Sequence, residues 1–297
     1  MTTNNVYKRR DILKLMGAGA VASTSSGLLL FSHTARAASE PKRGGKVRVA
    51  TSNSSVADTL DPAKGINSGD YMRQFMFYSG LTELNAQMKA EPALAESFES
   101  KDGTTWTFRL RKGVTFHDGK SLTAKDVVFS LNRHKIPETA SKAKVLADQF
   151  KEVRAVDAQT VEILLVGPNV DLPSILGTSH FLIVQDGTTD FTKGIGTGPF
   201  KCTEFTPARR VLGTRNENFW KPGKPYLDEV ELIGLTDMSS RVNGLLAGDL
   251  HMITTVSATD AMRLEKSPRH AVLETKSGLY SDLVIRVDAA PGNNQDF

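Results

Sequence analysis

The segment that most constrains the fold is Trp106 to Leu131, WTFRLRKGVTFHDGKSLTAKDVVFSL. Trp106, Phe108 and Leu110 alternate with Thr107, Arg109 and Arg111. A period of two is that of a strand with one buried face. Val114 and Phe116 continue it past the break at Gly113. Ala124, Val127, Val128 and Leu131 then recur at i, i+3, i+4 and i+7, a single apolar stripe of a helix. Between the two periods stands His117-Asp118-Gly119, with the chemistry of a turn: Asp bonds its own backbone and Gly accepts a positive φ. Thr123 with Asp126 three residues on predicts a capping box with a shortened acid. The stretch reads as strand, turn, capped helix. A His-Asp pair needs a nucleophile or a metal to do chemistry. No Ser or Cys stands nearby in a recognisable elbow, so His117 and Asp118 are assigned to structure.

The rest of the chain surrounds this stretch with further elements. Lys46 to Ala50 alternates as a first strand, and a polar loop runs from Thr51 to Thr59. Ser68 to Leu84 has a helical pattern with Met72, Phe75, Met76 and Leu84 on apolar faces. Asp102-Gly103 marks a hairpin turn. A second hairpin is predicted over Lys151 to Val166, where Val161, Ile163 and Leu165 alternate. Leu84 to about Asp190 is therefore an α+β block. Farther on, YLDEVELIGL and LHMITTV read as strands, MSSRVNGLLAGDL and SATDAMRLEKSP as helices. Strand-helix-strand-helix suggests crossover units on a sheet. Two more strands are expected around Lys276-Ser277-Gly278. The glycine-dense GIGTGPF, Gly194 to Phe200, has no Lys-Ser/Thr after it and is no phosphate loop. A strand or loop whose backbone approaches something closely explains it better.

Charge and cysteine content narrow the function. The net charge of +4 lies wholly in residues 1–37, where five basic side chains face Asp11 alone. The remainder carries 32 basic and 32 acidic residues, which gives no support for a nucleic-acid-binding stripe. Cys202 is the single cysteine, and the six histidines lack HExxH or HxH spacing. Neither an internal disulfide nor a classical zinc site is expected, and no cofactor is called for.

The N-terminus has the order of a secretory signal. Arg9-Arg10 followed by Ile12, Leu13 and Lys14 resembles a twin-arginine signal, with Ile in place of the usual Phe. Ala35-Arg36-Ala37 fits a small-x-small cleavage site. The apolar run from Leu15 to Phe31 is interrupted by Ser23-Thr24-Ser25-Ser26. It falls short of the roughly 20 mostly apolar residues of a membrane span. A cleaved signal over 1–37 and a periplasmic location are expected.

Taken in order, Leu60-Asp61-Pro62, the block LAESFESKDGTTWTFRLRKGVTFHDGKSLTAKDVVFSL, then GTGPF, RNENFWKPGKPYLDEV and LLAGDLHM resemble the family 5 solute-binding proteins of ABC importers, the oligopeptide and dipeptide binders. The resemblance runs from about Gly44 to the last residue. It implies an α/β fold of periplasmic-binding-protein type (class II) with mixed sheets. A discontinuous first lobe is placed at 44–79 and 191–297, and an inserted α+β subdomain at 80–190. The resemblance also implies a second lobe past residue 297, together with the strand returning to the first lobe, so that the chain is expected to be a truncated form. It implies hinge closure around a solute, a membrane permease as partner and a monomeric receptor. The backbone after Asp61-Pro62, namely Gly65, Ile66, Asn67 and Ser68, would lie against a bound peptide, helped by Ser52, Asn53 and Ser54. Sugars, opines and nickel complexes are other solutes of this fold, and fold alone does not choose among them. Two further readings stay open at the level of sequence. One is a secreted enzyme such as a hydrolase, against which stand the lone Cys and the missing serine elbow. The other is a non-functional remnant of a binding protein.

Overall fold

A computed structural model describes residues 41–273. The signal residues Arg9, Arg10, Ala35 and Ala37, and the strands expected around Lys276-Ser277-Gly278, lie outside the described residues. In chain order the elements begin with β1 (Lys46–Thr51), α1 (Ser68–Phe77), β2 (Thr82–Leu84), β3 (Ala90–Pro92), β4 (Ala95–Ser100) and β5 (Thr105–Leu110). Next come α2 (Ala124–Asn132), α3 (Lys144–Ala147), β6 (Phe150–Ala155), β7 (Thr160–Leu165) and α4 (Leu172–Leu176). Then follow β8 (Phe200–Thr206), β9 (Arg210–Arg215), β10 (Glu229–Gly234), α5 (Met238–Ala247), β11 (Met252–Ile253) and α6 (Ala258–Glu265).

The alternation in Trp106 to Leu110 becomes the central strand of a four-stranded antiparallel sheet, ordered β4-β5-β7-β6. Phe108 pairs with Val161 and Trp106 with Ile163, so the apolar sets of both hairpins share one face. α2 closes that face, burying Ala124, Val127 and Leu131 beside Phe108, Phe150 and Ile163. Each large apolar side chain buried there contributes about 1.5–3 kcal/mol. The Asp126 carboxylate accepts from both the N–H and the hydroxyl of Thr123, which fixes the helix start. Val114 and Phe116 are buried as the alternation requires, but they flank a turn and form no strand. A short ladder of β2 and β3 stands beside this sheet.

A second, mixed sheet has the order β11-β1-β10-β9-β8. β1 runs parallel to both β10 and β11, while β9 is antiparallel to β10 and β8. Met76, Phe77 and Tyr78 pack with Val49, Phe200, Val211 and Leu232 as its core.

Two further expectations are corrected. The helix from Ser68 stops at Phe77, and Leu84 belongs to β2. The strand expected over LHMITTV is reduced to Met252–Ile253. The region Phe200 to Arg215, unassigned in the sequence beyond GTGPF, forms the β8–β9 hairpin. GTGPF itself does bring backbone against backbone. A Cβ at Gly196 would sit 2.1 Å from Phe77 O, and one at Gly198 would sit 2.4 Å from Phe77 C. No side chain fits there, so Phe77-Tyr78 and the start of β8 close on each other directly.

Candidate functional site

Parallel strands deliver their carboxyl ends to one side of a sheet, where loops and helix N-termini converge. Here β1, β10 and β11 end in Ser52–Ser54, Leu235–Asp237 and Thr254–Val256. The chain then enters helices capped by Asp237, which accepts from Ser240 N (2.7 Å), and by Ser257, which accepts from Asp260 N (3.1 Å). α1 brings its own N-terminus to the same side. Its cap Asn67 accepts from Asp70 N (3.1 Å). Asn53 Nδ2 donates to Ser68 Oγ (3.0 Å), and a Cβ on Gly69 would lie 2.4 Å from Asn53 O. The β1 loop and the start of α1 are therefore one surface. Ser52 N also donates to Thr254 Oγ1 (3.2 Å), which joins β11 to it.

The seven expected residues do not all face outward. Asn53 and Ser68 are exposed, and Ile66 is 60% exposed, an apolar side chain presented to solvent. Ser52 and Asn67 are half-buried. Ser54 turns inward: its hydroxyl donates to Asp58 Oδ2 (2.9 Å), and a Cβ on Gly234 would meet it at 2.2 Å. Gly65 is buried. A Cβ there would lie 2.6 Å from the Gln74 amide, and its carbonyl accepts from His180 Nε2 (3.0 Å). Gly65 thus shapes the loop from below rather than opening space for a solute.

Buried charges hold this surface. Asp61 takes both Nη groups of Arg133 (2.7 and 2.8 Å), and the Arg133 guanidinium lies 4.5 Å over the Phe191 ring. Arg73 bridges Asp58 (2.9 Å) and Asp70 (2.7 Å). Asp70 in turn accepts from Thr59 N, Ile66 N and Asn67 Nδ2, which fixes the loop backbone. On the other flank Arg241, only 1% exposed, donates to Leu235 O (2.6 Å), Thr236 O (2.9 Å) and Thr255 O (3.3 Å). It ties together the loops that leave β10 and β11. Sequence reasoning passed over Arg241, because a charged residue in a surface-like helix gives no sign of being buried. It also passed over Thr254 and Asp237. Their signal was the end of each parallel strand.

His117 and Asp118 have another place. His117 N donates to Gly196 O (2.8 Å), Gly196 N donates to His117 Nδ1 (3.3 Å), and His117 Nε2 lies 3.0 Å from Gly198 O. That pattern needs the neutral ring with its proton on Nε2. Burial also pushes its pKa down. Asp118 accepts from Lys120 N and Gln185 Nε2. Cys202 borders the same depression, but burial pushes its thiol up to about 11, the reverse of an activated nucleophile. His117 clamps the turn to GTGPF, while Asp118 ties it to Gln185. Among the described residues no three His, Cys, Asp or Glu side chains are grouped to hold a metal.

Comparisons with known proteins give the family. The family described as bacterial extracellular solute-binding proteins, family 5 Middle, matches residues 89–297. The glutathione-binding protein GsiB of Pectobacterium atrosepticum is 29% identical over 247 residues, covering 81% of this chain and 48% of that protein. Heme-binding protein A of Haemophilus influenzae is 29% identical over 253 residues, covering 75% and 45%. Among solved structures, the binding protein AgaA of A. tumefaciens R10 in complex with agropinic acid superposes with a TM-score of 0.70 at 30% identity, over 75% of this chain and 46% of that one. The periplasmic binding protein DppA of Helicobacter pylori in complex with the peptide STSA gives 0.69 at 28% identity, over 76% and 50%. The chain spans about half the length of the curated relatives it matches. With its mixed sheets, its ordered sequence blocks and the match over 89–297, the chain belongs to family 5 of the bacterial extracellular solute-binding proteins.

Proposed function

We propose that the chain carries one ligand-facing surface of an ABC importer's substrate-binding protein, and that this surface is the carboxyl-end face of β1, β10 and β11. The observation that carries the reading is the junction of Asn53 with Ser68, which sets exposed polar groups and the exposed Ile66 at the ends of parallel strands. The favoured solute is a short peptide. Small residues and fixed backbone suit a peptide held through its main chain. Relatives named for glutathione and heme, and structures with agropinic acid or a tetrapeptide, mark the breadth of solutes to test. The five-stranded sheet is read as the first lobe and residues 80–190 as an insertion. In support, that sheet takes its strands from Lys46–Thr51 and from Phe200 onward, while both other sheets lie between.

Export through the twin-arginine route, cleavage after Ala37, a periplasmic location, a monomeric state and a membrane permease as partner complete the reading. Arg9-Arg10 and Ala35-Arg36-Ala37 support the export step. Replacing Arg9 and Arg10 with Lys stops a fused reporter from leaving the cytoplasm; continued export by the same route counts against it. For binding, calorimetry with di- to tetrapeptides, glutathione, heme and agropinic acid is the test. Ser68→Trp, on an exposed site, weakens binding of the preferred solute by at least about tenfold, roughly 1.4 kcal/mol. Unchanged affinity places the solute elsewhere.

A further inference from the structure

The other end of the five-stranded sheet holds a pocket of about 460 Å³. Pro199-Phe200 begins β8 and Leu227 lies just before β10, so the pocket sits at the amino ends of these strands. A six-residue strand separates it from the Asn53–Ser68 surface by about 20 Å. That volume falls within the roughly 300–1,000 Å³ of small-molecule sites. Its walls are aromatic: Phe75 from α1, Tyr78, and Phe219, Trp220 and Tyr226 from the segment that leads into β10. Phe75 is 45% exposed although its neighbours Gln74 and Met76 are buried. It stands on the side of α1 that faces this opening.

Polar groups at the wall are already partnered. Trp220 Nε1 donates to Ser79 Oγ (3.1 Å), and Ser79 Oγ donates to Thr197 O (3.3 Å). Two ammonium groups reach the rim. Lys221 is paired with Glu83 and lies 5.0 Å from the Trp220 ring. Lys224 lies 3.9 Å over the Tyr226 ring, and among the described residues no carboxylate comes within ion-pair distance of it. Among the described residues that line the opening, Lys224 is the one cation without a carboxylate partner; Arg43 and Arg111 stack on the Tyr226 and Trp220 rings (5.9 and 5.2 Å) without lining it. The pocket thus offers flat apolar walls and a positively charged edge. A ligand that complements both has a planar apolar body and one negative charge.

We infer that this pocket is a second binding site, distinct from the carboxyl-end surface, for a small aromatic carboxylate. The ring system lies among Phe75, Phe219 and Trp220, and the carboxylate accepts from Lys224 Nζ. An ion pair at an aromatic rim, partly shielded from water, is stronger than an open surface pair.

Calorimetry on the full chain with 2-naphthylacetate, and with its uncharged amide 2-naphthylacetamide, tests this. The acid binds about tenfold more tightly than the amide, the increment of one charge-assisted bond. Lys224→Met keeps the aliphatic stem and removes the charge. It abolishes the preference for the acid and leaves the affinity for the amide unchanged. Phe75→Ala weakens both ligands by about tenfold while the melting temperature stays within a few degrees. No heat from the acid at millimolar concentration overturns the inference. So does a preference for the acid that survives in Lys224→Met, or a Phe75→Ala variant that melts as the parent does and binds both ligands unchanged.

Discussion

Replacing Asp61 with Ala tests how the loop after Pro62 is held. Asp61 and Arg133 are both almost fully buried, and their two hydrogen bonds are 2.7 and 2.8 Å. Removing the carboxylate leaves the guanidinium buried over the Phe191 ring, with no other carboxylate within ion-pair distance among the described residues. Breaking one partner of such a pair costs about 3–5 kcal/mol. The same carboxylate accepts from Ala63 N (3.0 Å), so the turn after Pro62 loosens as well. At roughly 2–4 °C per kcal/mol for a domain of this size, the melting temperature drops by about 6–20 °C. Urea unfolding followed by tryptophan fluorescence gives the free energy directly. Asp61→Leu combined with Arg133→Met removes both charges and fills the space with apolar atoms. This double variant recovers most of the loss, because no buried charge is left unpaired. A loss under about 1 kcal/mol for Asp61→Ala, the range of exposed pairs, refutes the reasoning. A double variant no more stable than Asp61→Ala refutes it equally.

Other perturbations follow from the same geometry. Gly198→Ala forces a methyl group against the Phe77–Tyr78 backbone, and the variant is recovered mostly as insoluble protein or melts at least about 6 °C lower, by about 3 kcal/mol or more. His134 is pushed down to about 4 by burial, with the neighbouring Arg133 charge adding to it. Its unfolded value is about 6.5, so the unfolded chain binds the extra proton between those pH values. The stabilisation is whole above pH 6.5 and is lost as pH falls towards 4, by up to about 3 kcal/mol. A pH series of urea midpoints shows this slope, and His134→Gln flattens it. Cys202, with its thiol pushed up to about 11, reacts with a disulfide reagent at pH 8 roughly 100-fold more slowly than free cysteine, and urea restores the rate.

Elements whose burial follows their own sequence period were legible. Trp106 to Leu110 and Ala124 to Leu131 bury the residues that their spacing selects. Where burial is set by distant chain, the period misleads. Apolar residues run on past Phe77, yet the helix ends there, because Gly198 N donates to Phe77 O (2.9 Å) from a segment far along the chain. β8 at the sheet edge is half-exposed along both faces from Lys201, so it shows no alternation to read. The exposure of the candidate site residues was legible in part for the same reason. Asn53, Ile66 and Ser68 reach the surface as expected of loop residues at a strand end. Gly65 is small because the Gln74 amide fills the space beside it, and nothing local distinguishes that from a glycine opened for a solute.

The most direct test of the proposed ligand-facing surface is amide chemical-shift mapping of the chain during titration with a tetrapeptide. It reads binding at any affinity and reports its location. The predicted result is a saturating shift confined to Ser52–Ser54, Ile66–Gly69 and Thr254–Thr255, the ends of parallel strands and the start of α1. Shifts confined to the turn at His117 or to the pocket around Trp220, with the Asn53–Ser68 surface silent, contradict it.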